Sequence, residues 1–293
     1  TKGIHLILPR MSREALFVQA RADRRMLFIL PWGDYSLIGT TESPVTEPLE
    51  RLRATTEEVG YLLEEVNRVL PGSHIDADDI VASFAGARPL LAFSGSSTRA
   101  SREHRIEIDR AGLVSVMGGK YTTYRMMAQR VVDELIARLR LKADRCLTDQ
   151  VSLLESAHPV AIDHWQDVRK QLDPDLMARF IIRYGSGAFN IVRLLDQDRR
   201  LAQPVCPHHE HLAAELVHAV QQEMACTITD VLARRTPIAW SSCQGLDALS
   251  LVSELLQRYG GLTPAALGQQ IEDYHQFLSD GLAFRQPLLT TRG

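Results

Sequence analysis

Leu113-Val114-Ser115-Val116-Met117-Gly118-Gly119-Lys120-Tyr121-Thr122-Thr123-Tyr124-Arg125 is the stretch whose reading decides the fold. Residues 113–117 read as a short buried strand. Gly118 and Gly119 permit a tight turn that no Cβ obstructs, and a helix is expected from about Tyr121. Ala128, Val132, Leu135, Ile136 and Leu139 then recur at the 3.6-residue period, which predicts a buried apolar stripe. A strand, two glycines and a helix N-terminus carrying Lys120, Thr122 and Thr123 make an anion-binding corner. Backbone N–H groups without intrahelical partners converge there with the positive end of the helix dipole. The same residues also describe an ordinary strand-to-helix connection with threonine caps. Neither Gly-x-x-x-x-Gly-Lys-Ser/Thr nor Gly-x-Gly-x-x-Gly is present, so local spacing leaves both readings open.

Outward from this corner, residues 105–109 and 113–117 read as a hairpin around Arg110-Ala111-Gly112. Towards the N-terminus, Ile4, Leu6 and Leu8 alternate with His5 and Ile7. Residues 26–30 are apolar on both faces, as in a central strand. Gly33-Asp34 is a two-residue turn from which residues 35–40 return antiparallel. A helix is predicted over 55–70. Thr55 and Glu58 form its capping box, Val59, Leu62, Leu63, Val66 and Leu70 its buried stripe, and Pro71-Gly72 its stop. Residues 80–85 are strand-like, Pro89 biases Arg88 towards an extended backbone, and residues 94–101 read as a polar loop. Beyond about residue 141 strand patterns give way to helical ones over 158–172, 174–184, 188–195, 208–224, 227–234, 246–259 and 263–280. The expected organisation is a mixed α/β (α+β) part over 1–141 followed by an all-α part over 142–293.

With 45% hydrophobic and 24% charged residues among 293, the composition is that of a globular chain long enough for two domains. A net charge of −3, with no block of Lys and Arg, gives no electrostatic reason to expect nucleic acid. No apolar run approaches the roughly 20 residues that span a bilayer. Cys146, Cys206, Cys226 and Cys243 are widely spaced and form no Cys-x-x-Cys pair, which favours reduced thiols in a cytosolic compartment. Cys206-Pro207-His208-His209-Glu210-His211 looks at first like a metal cluster. No second ligand pair stands at zinc spacing, however, and His208 to His211 fit the first turn of a helix, so no metal site is expected. Arg234 and Arg235 fit the C-terminal end of a helix, where the dipole favours cations. Arg88, Arg102 and Lys120 stand near element ends. A guanidinium fork suits phosphate or carboxylate, although each of the three also fits a solvated surface charge. His5, on the strand face opposite Ile4, Leu6 and Leu8, fits either a general base titrating near neutrality or a hydrogen-bonded edge histidine.

Taken together, Thr1-Lys2-Gly3-Ile4-His5-Leu6, Pro31-Trp32, Ile38-Gly39-Thr40-Thr41-Glu42, Gly86-Ala87-Arg88-Pro89-Leu90, Gly118 through Arg125, and Glu223 through Thr236 resemble the FAD-dependent glycerol-3-phosphate dehydrogenases. The resemblance implies a fold like that of D-amino-acid oxidase with a helical C-terminal domain. It implies FAD as cofactor, contacted by Gly118, Gly119, Lys120, Thr122 and Thr123. It also implies oxidation of sn-glycerol 3-phosphate to dihydroxyacetone phosphate. Arg88, Arg102 and Lys120 would bind the substrate, Arg88 would assist hydride transfer, and His5 is the expected base. Electrons would pass to quinone or another acceptor from a cytoplasmic enzyme peripheral on the membrane, with a homo-oligomer possible. Two departures stand out. Residues 153–156 lack the family's Leu-Pro-Gly-Gly, and no dinucleotide-binding Gly-x-Gly-x-x-Gly opens the chain. The chain is therefore expected to be a piece of a longer enzyme, doubtful in binding FAD alone and prone to self-association through uncovered apolar surface. The alternative is a non-catalytic helical docking module derived from such an enzyme.

Overall fold

The computed structural model of the chain describes residues 1–91, 104–151 and 173–285. The expected loop over 94–101, the expected helix over 158–172 and Arg102 lie outside the described residues. Packing divides the chain into two compact units, Thr1 with Ala87–Phe189, and Lys2–Gly86 with Asn190–Gly293.

The second unit is built on a five-stranded sheet in the order β2-β3-β4-β1-β5. Its strands are β1 (Lys2–Pro9), β2 (Leu16–Gln19), β3 (Met26–Trp32), β4 (Tyr35–Gly39) and β5 (Ala82–Ala87). β3 and β4 form the hairpin expected at Gly33-Asp34, where Gly33 takes φ +57° and Trp32 pairs with Tyr35. Alternation along β1 sorts its side chains by face. Ile4, Leu6 and Leu8 join Leu27, Ile29 and Ile38 in a core closed by Val59, Leu62 and Val66 of α1 (Thr56–Val69). Ile7 turns the other way, with Leu37 and Ala82, against Trp240. Both faces of β1 are thus covered, and each fully buried Ile or Leu contributes about 1.5–3 kcal/mol.

α1 starts where its sequence requires. Thr55 accepts from the Glu58 N–H and Glu58 returns a bond to the Thr55 N–H at 3.1 Å, a complete capping box. Glu58 also takes Lys2 Nζ at 2.9 Å and the Ser43 hydroxyl at 2.5 Å, fastening the first residues of β1 to the start of the helix.

Beyond α1, the helices of this unit are α5 (Ala213–Gln222), α6 (Leu249–Gly260) and α7 (Pro264–Gly281), preceded by α4 (Ala188–Gln197). α5 is buried at every position from Ala213 to Ala219, and it packs on α6. α7 has the expected start, with Thr263 accepting from the Ala266 N–H and Pro264 at the first helical position. The stretch expected as a helix over 227–234 is a π-helical turn, Asp230–Arg235. Asp230 accepts from the N–H groups of Cys226 and Thr227, each at 3.0 Å, and Arg234 folds back onto it at 2.7 Å.

The helix expected over 208–224 begins only at Ala213. Glu215 accepts from the Leu212 N–H at 2.7 Å and sets the start there, while the Val205 N–H bonds to the His211 carbonyl at 2.8 Å. Residues 205–211 are therefore a closed loop, and His208 to His211 lie outside the helix. The periodicity misled because these histidines continue the helical spacing without its hydrogen bonds.

In the first unit β6 (His104–Ile108) and β7 (Val114–Gly118) form the expected hairpin, but the strand expected to be buried over 113–117 is largely exposed; α2 (Tyr124–Leu139) follows and, further on, α3 (Pro174–Tyr184). The stripe expected on α2 is not buried. Val132 and Leu139 are more than half exposed, Ala128 is exposed, and Leu135 and Ile136 are only half-buried. Ala128, Val132 and Ile136 instead line an open cavity of about 500 Å³ with Cys146, Leu147 and Val151. An amphipathic period states which face prefers cover. The irregular stretch 144–151 flanks that face without closing it.

Candidate active site

The corner after β7 is shaped by its glycines. Gly118 has φ +72° and Gly119 φ +100°, and a Cβ on Gly119 would meet Met127 Sδ at 2.6 Å. Lys120 is extended, Tyr121–Thr123 make one 3-10 turn, and α2 follows from Tyr124. The Thr123 hydroxyl and N–H both donate to the Lys120 carbonyl at 3.0 Å. Thr123 therefore tightens the turn and makes no side-chain cap to α2, whose first turn also carries no acidic residue. The N-terminus of α2 thus presents its positive dipole end with no cap or acid from its own first turn, and Lys120, Thr122 and Thr123 are exposed beside it. An electron-rich planar group fits such a corner: the glycines let it approach the backbone, and the dipole stabilises negative charge on its near edge. The residues present thus fit one edge of a flavin ring.

Arg88 follows β5, half-buried. Its N–H donates to the Thr1 carbonyl at 2.6 Å and its carbonyl accepts from Thr1 N at 3.0 Å, so its backbone is fixed apart from its side chain. Arg88, Lys120 and the Gly118 to Thr123 corner belong to one unit.

His5 belongs to the other. It sits on β1 opposite Gly39 of β4, half-buried, and its ring stacks on Phe84 with centroids 5.1 Å apart at 15°. Phe84 meets the edge of Trp240 at 5.5 Å. A Cβ on Gly39 would lie 2.7 Å from His5 Nε2. Gly39 and Phe84 therefore position His5, and reading the sequence missed both in that role. The signal available was Gly39 itself, a glycine ending an otherwise apolar strand, which often marks a close approach.

The sheet, the glycine corner and the appended helices define a class: the D-amino-acid-oxidase-like fold of FAD-dependent oxidoreductases, with a helical C-terminal domain. The model of the FAD-dependent oxidoreductase family matches residues 1–125, and that of the C-terminal domain of alpha-glycerophosphate oxidase matches residues 114–267. Within that class the chain belongs to the family of FAD-dependent glycerol-3-phosphate dehydrogenases. It is 32% identical over 290 residues to a glycerol-3-phosphate dehydrogenase of Synechocystis sp., covering 95% of this chain and 52% of that protein. It is 32% identical over 284 residues to glycerol-3-phosphate dehydrogenase 2 of Mycobacterium tuberculosis, covering 94% and 48%. The crystal structure of glycerol-3-phosphate dehydrogenase from Bacillus halodurans complexed with FAD matches with a TM-score of 0.78 at 25% identity, over 96% of this chain and 57% of that one. The chain spans about half the length of the curated relatives it matches.

Proposed function

We propose that this chain is the substrate-side part of an enzyme that oxidises sn-glycerol 3-phosphate at C2 to dihydroxyacetone phosphate. The observation that carries the proposal is the N-terminus of α2 behind Gly118 and Gly119, which has no side-chain cap and no acidic residue in its first turn. Its relatives' names supply the substrate. Bound FAD would supply hydride acceptance from C2. Gly118, Gly119, Lys120, Thr122 and Thr123 would hold one edge of that cofactor, where the helix dipole favours negative charge. Arg88 offers its guanidinium to substrate oxygens, with Lys120 as a second cation and Arg102 as a further fork for the phosphate. His5 takes the hydroxyl proton on a ring nitrogen, its orientation set by Phe84 and Gly39. Quinone or another acceptor receives the electrons at a peripheral site on the cytoplasmic membrane, and the enzyme assembles as a homo-oligomer. Residues 1–141 carry the chemistry and 142–293 the helical domain. No helix among the described residues is long and apolar enough to cross a membrane.

The test is the visible spectrum after incubation with FAD and gel filtration. It is run on the chain alone and on the chain mixed with the part of the Synechocystis relative it leaves uncovered. Retained flavin that bleaches with glycerol 3-phosphate and not with glycerol is expected from at least one sample. Retained flavin indifferent to glycerol 3-phosphate would reject the substrate. Absence of flavin from both would reject the cofactor role of this corner and favour a docking module.

A further inference from the structure

The closed loop 205–211 carries Cys206 and His209 to the turn that contains Cys243. The two sulfurs and one ring nitrogen of His209 all lie within 4.8 Å of one another, with Cys206 buried and the other two half-buried. We propose that Cys206, His209 and Cys243 bind a zinc ion that staples this loop to the turn 241–245.

Three observations support it. The first is geometry. Zinc bonds of about 2.3 Å to sulfur and about 2.0 Å to nitrogen place tetrahedral ligand atoms less than about 4 Å apart, so this cluster needs only small side-chain adjustment. The second is chemistry. Two thiolates and an imidazole are a soft set that selects zinc against calcium or magnesium. The third is the surroundings. The Gly245 N–H donates to Cys243 Sγ at 3.5 Å. Such a bond orients a ligand sulfur. Ser241 Oγ lies 2.8 Å from His209 Nε2 and 3.4 Å from Cys243 Sγ, fixing the imidazole and the second sulfur relative to each other. Asp247, 3.6 Å from His208 Nε2, adds negative charge near Cys206. Three protein ligands leave a tetrahedral ion one further position for water. The run Cys206-Pro207-His208-His209 showed only half of this set, because the second sulfur arrives from a distant turn.

The full chain purified without chelator should carry one zinc per chain by elemental analysis. The stripped chain titrated with Co²⁺ should develop the sulfur-to-cobalt charge-transfer band and the intense visible bands of a tetrahedral thiolate site. Neither readout needs a variant. Cys243→Ser and His209→Gln should each weaken zinc binding at least tenfold, while Cys226→Ser, at an exposed thiol outside the cluster, should leave it unchanged. A chain with neither zinc nor a cobalt band would overturn the assignment. So would a Cys206–Cys243 disulfide in peptide mapping of the freshly purified chain, or unchanged zinc affinity in Cys243→Ser.

Discussion

His5 keeps its ring against Phe84 because the residue across the ladder, Gly39, has no side chain. Adding one methyl there drives a Cβ into the imidazole. Gly39→Ala should destabilise the chain by about 1–3 kcal/mol in denaturant melts, the usual range for overpacking. In a His5→Ala background the same substitution should cost less than half as much, since the clash is with that ring. Equal costs in both backgrounds would mean that Gly39 is needed for some other reason. Arg88 differs, because its backbone is paired to Thr1 independently of its side chain. Arg88→Lys keeps that backbone pairing. In a catalytically active assembly it should raise the KM for glycerol 3-phosphate by about ten- to a hundredfold, the value of charge-assisted bonds a lysine cannot place. An unchanged KM would remove Arg88 from the substrate.

The two helix starts in the mixed part of the chain use threonine differently. Thr55 caps α1 through its side chain, whereas Thr123 donates backwards to Lys120 and caps nothing. Thr55→Ala should cost about 1 kcal/mol, and Thr123→Ala less than half of that. Glu58, at the third helical position of α1, also titrates. Burial works to raise its carboxyl, but hydrogen bonds from Ser43, Lys2 and the Thr55 N–H prevail and hold it below the ordinary carboxylate range. A lowered folded pKa contributes stability that is complete above the unfolded value of about 4.5 and is lost as pH falls through the folded value. Glu58→Gln should therefore flatten the acid side of the stability profile and leave its alkaline side parallel to that of the unsubstituted chain. A profile equally steep below pH 4.5 would place that acid sensitivity elsewhere.

Across the whole molecule, apolar burial is uneven. The sheet unit buries Leu62 completely, and Leu62→Ala should cost about 2–5 kcal/mol. In the other unit α2 buries no residue, and Leu113, Val116, Tyr121, Tyr124 and Val132 are all exposed. Val132→Asp should accordingly change stability by no more than about 0.5 kcal/mol. The chain should also bind a dye that fluoresces on apolar surface, and that signal should fall in a Val116→Lys, Met126→Lys double variant. A large loss of stability in Val132→Asp would mean that the α2 face is covered in solution.

What could be read directly was whatever neighbours along the chain settle among themselves. The start, the stop and most of the buried stripe of α1 were legible, because Thr55, Glu58, Val59, Leu62, Val66 and Pro71-Gly72 all lie within one helix length. Leu63 and Leu70, by contrast, are only half-buried, and the buried Glu65 was not foreseen. The Gly33-Asp34 hairpin and the Gly118-Gly119 turn were legible because a positive φ is a local demand that glycine meets. Tertiary structure decided the rest. α2 carries an apolar period as α1 does, yet the α1 stripe joins the core of the five-stranded sheet while α2 has no buried residue among the described ones. His208 and His209 continue a helical spacing, but the bond from Val205 to His211 closes them into a loop. The place of Gly39 beside His5 and the meeting of Cys243 with Cys206 depend on strand register and on packing between distant segments. A periodic sequence states which faces prefer burial. Which faces are buried, and which distant side chains meet, is fixed only when the whole chain competes for the same interior.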